Sequence, residues 1–253
     1  MNKPKLSEIK EAFEKTEITL IPETIKLYEE DDREGVRKIL ARYQSIYDKY
    51  NQELIRIDKL CEYEKQYGHC QYIAGVDEVG RGPLAGPVVT CAVILPKDEK
   101  ILYVNDSKKL SEKKREELYD IIMEKALDVS IGIESPSVID DINILQATLK
   151  AMSTSVNDLK YKPDIVFVDA VKIPNIDSDQ LSIIKGDAKS ISIACASIIA
   201  KVTRDRMMEE YDKLYPQYDF KSNKGYGSAH HIEALKKYGP CPIHRHSFIK
   251  SFI

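Results

Sequence analysis

The sequence predicts an α/β fold: a central mixed β-sheet flanked by helices, with a helical N-terminal extension and a helical C-terminal region. Two observations predict it. From Gln71 onward, β-branched apolar runs come first as a pair around a short loop, then alternate with amphipathic stretches, an order that builds a mixed rather than a purely parallel sheet. Ahead of them, residues 1–68 contain no glycine except Gly35 and Gly68, carry 13 Lys+Arg against 15 Asp+Glu, and repeat apolar residues at helical spacing. The expected division is therefore 1–68, a helical extension, and 69–253, the main domain with its C-terminal region.

Each element has its own signal. In the extension, Val36, Ile39 and Leu40 and then Leu54, Ile57, Leu60 and Cys61 mark two helical stretches, 34–40 and 54–63. The segment either packs on the main domain or helps to hold a substrate. Residues 72–76 form a short apolar run ending in Asp77-Glu78, and a Gly/Pro loop covers 80–87. The run 88–95 (VVTCAVIL) lies between Pro87 and Pro96 and reads as a buried strand, so the two runs suggest a hairpin. Ser111 is placed to N-cap a helix reaching about Ala126, with Leu118, Ile121 and Ile122 on one face. Residues 127–133 alternate as a third strand. A helix over about 137–159 follows, its Ile139/Ile142/Leu145/Leu149 stripe expected in the core. The run 165–168 is a buried strand ending in Asp169, and 181–184 is a short strand before Gly186-Asp187. A long helix spans 191–214, and a loop around Pro216, Gly225 and Gly227 leads to a last helix near 230–238.

Composition narrows the class without naming an activity. The 253 residues, 43% apolar and 31% charged, suit a globular chain and argue against disorder. No run approaches the ~18–20 apolar residues that span a bilayer, and the N-terminus lacks the apolar stretch of a signal peptide. The cysteine count is odd, five, and Cys91 and Cys195 sit in apolar runs, which favours buried thiols in a reducing cytoplasm. A net charge of −3 excludes a uniformly basic nucleic-acid coat. Residues 201–253 nevertheless carry 10 Lys+Arg against 6 Asp+Glu, a local basic excess fit for a nucleic-acid footprint. His230, His231, His244 and His246 with Cys241 match no standard zinc spacing, and a basic surface facing nucleic acid is the expected setting for them.

Three apolar segments deliver carboxylates at their ends: Asp77 and Glu78, Asp169, and Asp187. Strands packed side by side bring their ends together, and converged carboxylates repel unless a cation neutralises them. A single acid at a strand end is commonly just solvated; the set is what points to a site. Oxygen-only donors select Mg²⁺ or Mn²⁺ over Zn²⁺, and four carboxylates can hold two such ions for phosphodiester cleavage. The segment GVDEVGRGPLAGP, 75–87, is not a P-loop, because it lacks the Lys and Ser/Thr and carries two acids. Its glycines also miss the dinucleotide fingerprint, and Pro83 stands where a helix should open. A Gly80-Arg81-Gly82 turn suits close approach by a nucleic-acid backbone instead.

These segments taken together, GVDEVGRGPLAGPVV, Asp106-Ser107-Lys108-Lys109-Leu110, Asp141-x-Asn143, FVDA ending at Ala170, KGDAKSISIACASIIAKVTRDR over 185–206, and KGYGS over 224–228, resemble bacterial ribonuclease HII in motif and order across about 72–246. The related ribonuclease HIII carries a different loop after its Asp-Glu pair. The resemblance implies an RNase H-like fold and a metal-dependent endonuclease. Its substrates would be RNA–DNA hybrids and duplex DNA with embedded ribonucleotides, cut 5′ of the ribonucleotide to leave 3′-OH and 5′-phosphate ends. It implies Asp77, Glu78, Asp169 and Asp187 as catalytic, metal-binding residues and two Mg²⁺ or Mn²⁺ ions as cofactors. It implies Gly80, Arg81 and Gly82 as the turn that senses the ribose 2′-OH, Tyr226 as a ring stacked near the RNA–DNA junction, and Ser107 and Lys108 as backbone contacts. Read without the resemblance, Tyr226 is one of 15 tyrosines, Lys108 a solvated helix approach or a phosphate contact, and Asn143 a structural hydrogen bond or support for the site. A monomer is expected, with no membrane partner. A hybrid-binding module without catalysis and a DNA-directed nuclease on the same fold are the alternatives; cleavage in metal and rejection of an all-DNA substrate separate them.

Overall fold

The computed structural model describes residues 3–253, and the chain divides into two compact units, one ending at Asp58 and the other Lys59–Ile253. The first unit contains α1 (Leu6–Lys15), α2 (Ile21–Lys26) and most of α3 (Glu34–Leu60). Glu8 closes the start of α1 by accepting from the Lys5 amide at 2.8 Å. The apolar spacing gathers Ile9, Phe13, Ile21, Val36 and Tyr43 into one core, with Phe13 stacked on Tyr43 at 4.5 Å between ring centroids. The two helical stretches expected at 34–40 and 54–63 belong largely to the single helix α3, because nothing between them breaks a helix.

In the second unit α4 (Glu62–Gln66) precedes the hairpin of β1 (Ile73–Val79) and β2 (Val88–Ile94). Then follow α5 (Glu112–Lys125), β3 (Asp128–Glu134), α6 (Pro136–Asn157), β4 (Ile165–Asp169) and β5 (Asp179–Ile183). The chain ends with α7 (Ile191–Leu214), α8 (Phe220–Asn223), α9 (Ala229–Tyr238) and α10 (His246–Ile249). The sheet order is β3-β2-β1-β4-β5; the first two pairings are antiparallel and the last two parallel, the mixed sheet that the element order predicted. Ser111 caps α5 through its hydroxyl, which accepts from the Lys114 amide.

The strand period of two sorts the sheet into faces. Ala74, Val76, Ala92, Ile94, Val166 and Val168 pack with Met152 and Val156 of α6. On the other face Ile165 and Phe167 meet Ile193 of α7. Gly75 lets α7 lie directly on β1, since a Cβ there would stand 2.1 Å from the Ser192 carbonyl carbon. Glu64 fastens the start of α7: its Oε1 accepts from Ser190 Oγ at 2.5 Å and from the Ser192 amide at 3.1 Å.

The stripe expected on α6 is corrected. Ile139 is buried, but Ile142 and Leu149 are partly exposed and Leu145 is 43% exposed. The cause is Asn143, at φ 67° and ψ 163°, whose Oδ1 accepts from the Leu145 and Gln146 amides and restarts the helix in a new phase. Beyond that break the buried face is Ala147, Thr148, Ala151, Met152, Ser155 and Val156. Asn143 therefore makes the structural hydrogen bonds.

Candidate active site

The site begins at the register of β1. Because Ala74 and Val76 point toward α6, Gly75 and Asp77 face α7. The parallel ladder of β1 with β4 runs to Val76 opposite Val168, so the next residues, Asp77 and Asp169, emerge side by side at its end. Asp77 and Glu78 lie within β1 rather than beyond it, since pairing with β2 continues through Asp77–Cys91 and Glu78–Thr90. Asp187 sits in the one-turn helix Gly186–Ala188 after β5. The Gly186 amide donates to Asp169 Oδ1 at 3.0 Å, which ties that turn to the end of β4.

The electrostatics follow from this crowding. Burial pushes the Asp77 carboxyl well above the ordinary carboxylate range, repulsion from Glu78 and Asp169 adds to it, and a hydrogen bond from Ser197 opposes it. Burial raises Glu78 as well; Arg81 counters this with its Nη1 3.4 Å from Glu78 Oε1, and Asp169 raises it further. Asp187 is raised by burial and by Asp106 and Asp169, with Lys108 opposing. Asp169 thus repels all three other acids, and Lys108 favours the charged form of both Glu78 and Asp187. The donors are oxygens only, and their repulsion is relieved by added positive charge, so in chemistry and charge they fit hard divalent cations. Among the described residues no group of three or more Asp, Glu, His or Cys side chains is drawn together closely enough to hold a metal ion as it stands.

Beside the acids stands the 80–87 turn. Gly80 has φ +90°, and a Cβ there would lie 2.2 Å from Arg204 Nε, so the position demands glycine twice over. Arg81 and Gly82 are exposed. Tyr226, 49% exposed, faces Gly82: its Cε1 is 3.6 Å from where a Gly82 Cβ would be. The contact is held by the Leu84 amide, which donates to Gly225 O at 2.8 Å. Lys108 is exposed beside the acids, whereas Ser107 is buried, with its Oγ 3.0 Å from Ser197 Oγ. The Ser107 hydroxyl therefore points inward, toward the serine that bonds Asp77.

The expectation of a nucleic-acid-facing histidine surface is corrected for two of the four. His231 and His244 are buried, with their Nε2 atoms 2.9 Å apart, and pack against Tyr218 and Phe220. His231 Nδ1 lies 2.8 Å from Tyr226 O. His230 and His246 are exposed. Sequence reasoning also missed Ser197, Arg204 and Arg245. The available signal was a polar residue within an apolar helical run, Ser197 and Arg204 on α7; nothing comparable marks Arg245.

Comparison with known proteins agrees with this architecture. The ribonuclease HII family matches residues 74–251, and the ribonuclease HII N-terminal domain matches residues 5–68. A ribonuclease HII from Lachnoclostridium phytofermentans is 62% identical over 224 residues, covering 88% of each chain. One from Clostridioides difficile is 49% identical over 256 residues, covering 100% of each. The crystal structure of ribonuclease H2 from Pyrococcus horikoshii OT3 superposes with a TM-score of 0.59 at 29% identity, covering 70% of this chain and 93% of that one. Fold and relatives together define an enzyme of the ribonuclease H class, a hydrolase of phosphodiester bonds with the RNase H-like fold. Within that class, this chain belongs to the ribonuclease HII family.

Proposed function

We propose that this enzyme hydrolyses the RNA strand of RNA–DNA hybrids and cuts 5′ of ribonucleotides embedded in duplex DNA, leaving 3′-OH and 5′-phosphate ends. The observation that carries the reading is the emergence of Asp77 and Asp169 side by side at the end of the β1–β4 ladder, with Glu78 and Asp187 in electrostatic reach. These four carboxylates would hold two Mg²⁺ or Mn²⁺ ions. When bound, such ions polarise the scissile phosphate, lower the pKa of an attacking water and stabilise the departing 3′-oxygen.

The chain's own residues orient the substrate. Gly80, Arg81 and Gly82 form the turn against which a ribose 2′-OH is read, since that hydroxyl alone separates RNA from DNA at one nucleotide. Tyr226, across from Gly82, offers a ring to the sugar or base at the junction. Lys108 attracts a phosphate, and Ser107 acts through Ser197, whose hydroxyl holds Asp77. Residues 1–68 serve as the helical extension and 69–253 as the catalytic body. The enzyme works as a monomer in the cytoplasm, where Cys91 and Cys195 stay as thiols.

The test is a DNA duplex carrying one ribonucleotide, incubated with Mg²⁺ or Mn²⁺. Wild type is expected to cut it and to leave an all-DNA duplex intact, while Asp77→Asn loses at least about a thousandfold in rate. Equal rates for wild type and Asp77→Asn would end the catalytic assignment.

A further inference from the structure

The turn bearing Gly80, Arg81 and Gly82 rests on two arginines that solvent does not reach. Arg204 of α7 and Arg245, just before α10, are both 0% exposed. Arg204 donates through Nε to Pro87 O at 2.9 Å, through Nη2 to Ala85 O at 3.1 Å and through Nη1 to Lys224 O at 2.9 Å. Arg245 donates through Nε to Gly86 O at 2.9 Å, through Nη1 to Arg81 O at 2.9 Å and through Nη2 to Gly80 O at 2.5 Å. Phe248 lies over the Arg245 guanidinium, 5.2 Å from ring centroid to Cζ. Backbone carbonyls, not carboxylates, meet both charges.

Burying a charge is costly unless hydrogen bonds replace its water. A planar guanidinium with five donors in a fixed fork can hold several carbonyls at set angles, which a lysine ammonium cannot. The consequence lies in the peptide planes. In a trans peptide the C=O and the following N–H point in opposite directions. Arg245 pulls the Gly80 and Arg81 carbonyls inward, so the Arg81 and Gly82 amides are turned outward. Neither amide has an intramolecular backbone acceptor among the described residues, and both residues are exposed, Gly82 directly beside Tyr226.

We infer that Arg245, with Arg204 behind the rest of the turn, is a positioning residue for ribonucleotide recognition: it aims the Arg81 and Gly82 amides at a sugar hydroxyl or phosphate oxygen held against Tyr226. The inference rests on the reading of this turn as substrate-facing. It makes selectivity for RNA depend on a side chain that never touches the substrate. The acids do not require it, because Asp77 and Asp169 are placed by the β1–β4 ladder and not by the turn.

The experiment compares binding, by fluorescence anisotropy in EDTA, of a DNA duplex with one ribonucleotide and of the same duplex without it. Wild type is expected to prefer the ribonucleotide duplex. Arg245→Lys and Arg245→Met should lose most of that preference, roughly tenfold, with all-DNA affinity kept within about twofold. A folded Arg245→Lys protein with full preference overturns the inference alone; a wild type without preference overturns the recognition reading and the inference with it. Should the variants not fold, ¹⁵N relaxation of the wild type decides. The Arg81 and Gly82 amides are expected to be as rigid as those of β1, and nanosecond mobility there rules out a preset turn.

Discussion

The carboxylate cluster and the glycine turn beside it both bury like charges, and they do so in opposite ways. Under the turn, two guanidinium groups spend their donors on six backbone carbonyls, so the charges are solvated by the protein itself. In the cluster, Asp77 is raised by burial and by its acidic neighbours, and the Ser197 hydroxyl is the one side-chain donor that opposes this. Positive charge from Arg81 and Lys108 reaches Glu78 and Asp187, but Asp169 repels every partner. The turn is complete without a ligand, whereas the repulsion in the cluster is left for an added positive charge to relieve, which is the role proposed above for a divalent cation. A site of the second kind costs stability while it is empty, a common pattern where function and stability compete.

The largest effect that tests this contrast comes from neutralising the cluster. Asp77→Asn removes a buried, repelled charge while keeping its shape, so the metal-free protein should melt a few degrees higher than wild type even as cleavage is lost. Added Mg²⁺ or Mn²⁺ should raise the melting temperature of wild type by linkage and raise that of Asp77→Asn much less. Calorimetry with and without the ions checks both halves. A metal-free Asp77→Asn protein that melts lower than wild type would mean the cluster is already balanced.

A smaller effect is expected at Tyr226, which is exposed and supports no core. Tyr226→Ala should slow cleavage at an embedded ribonucleotide by roughly tenfold, in line with one lost stacking contact, and leave the melt unchanged. Unchanged turnover in a normally folded variant would remove the ring from the site and leave the turn to act alone.

What the sequence disclosed tracks where each interaction lives along the chain. Strand ends and caps are local, so Asp169 at the end of β4, Ser111 ahead of α5 and the full extent of α7 were legible from period and punctuation. The acids were legible as a set because strands that pair must bring their ends together. Their place inside β1 was not, since it depends on how far β2 continues the antiparallel ladder. The α6 stripe failed because one residue, Asn143, resets the helical phase without leaving a helix-breaker in the sequence. Arg245 was illegible for a different reason. Its partners are carbonyls of a loop that lies far off in sequence, and carbonyls carry no residue identity to read. The histidines were placed by regional charge, which says nothing of which side chain turns inward.

That histidine pair gives the smallest effect and refines the comparison, because it lies directly behind the turn. His244 adjoins Arg245, and Ala85 bridges to His244 across the backbone. Burial lowers both imidazoles from 6.5, with His230 adding repulsion at His231; at His244 burial, helped by repulsion from His231 and His246, takes the imidazole to about 4. The fold therefore favours the neutral pair. Below pH about 6.5 the unfolded chain takes up protons that the folded chain refuses, so stability from the pair is complete above 6.5 and is lost progressively as pH falls to about 4. The acid cluster has the opposite sign. Its raised carboxyls protonate in the folded state first, and falling pH relieves their repulsion. In mild acid without metal the turn should thus loosen while the cluster relaxes, a local rather than a global response. Imidazole resonances followed by NMR from pH 7.5 to 4 check this, with His244 expected to stay neutral through pH 5; His244 titrating near 6.5 would show that the pair is open to solvent and that the turn has no neutral backing.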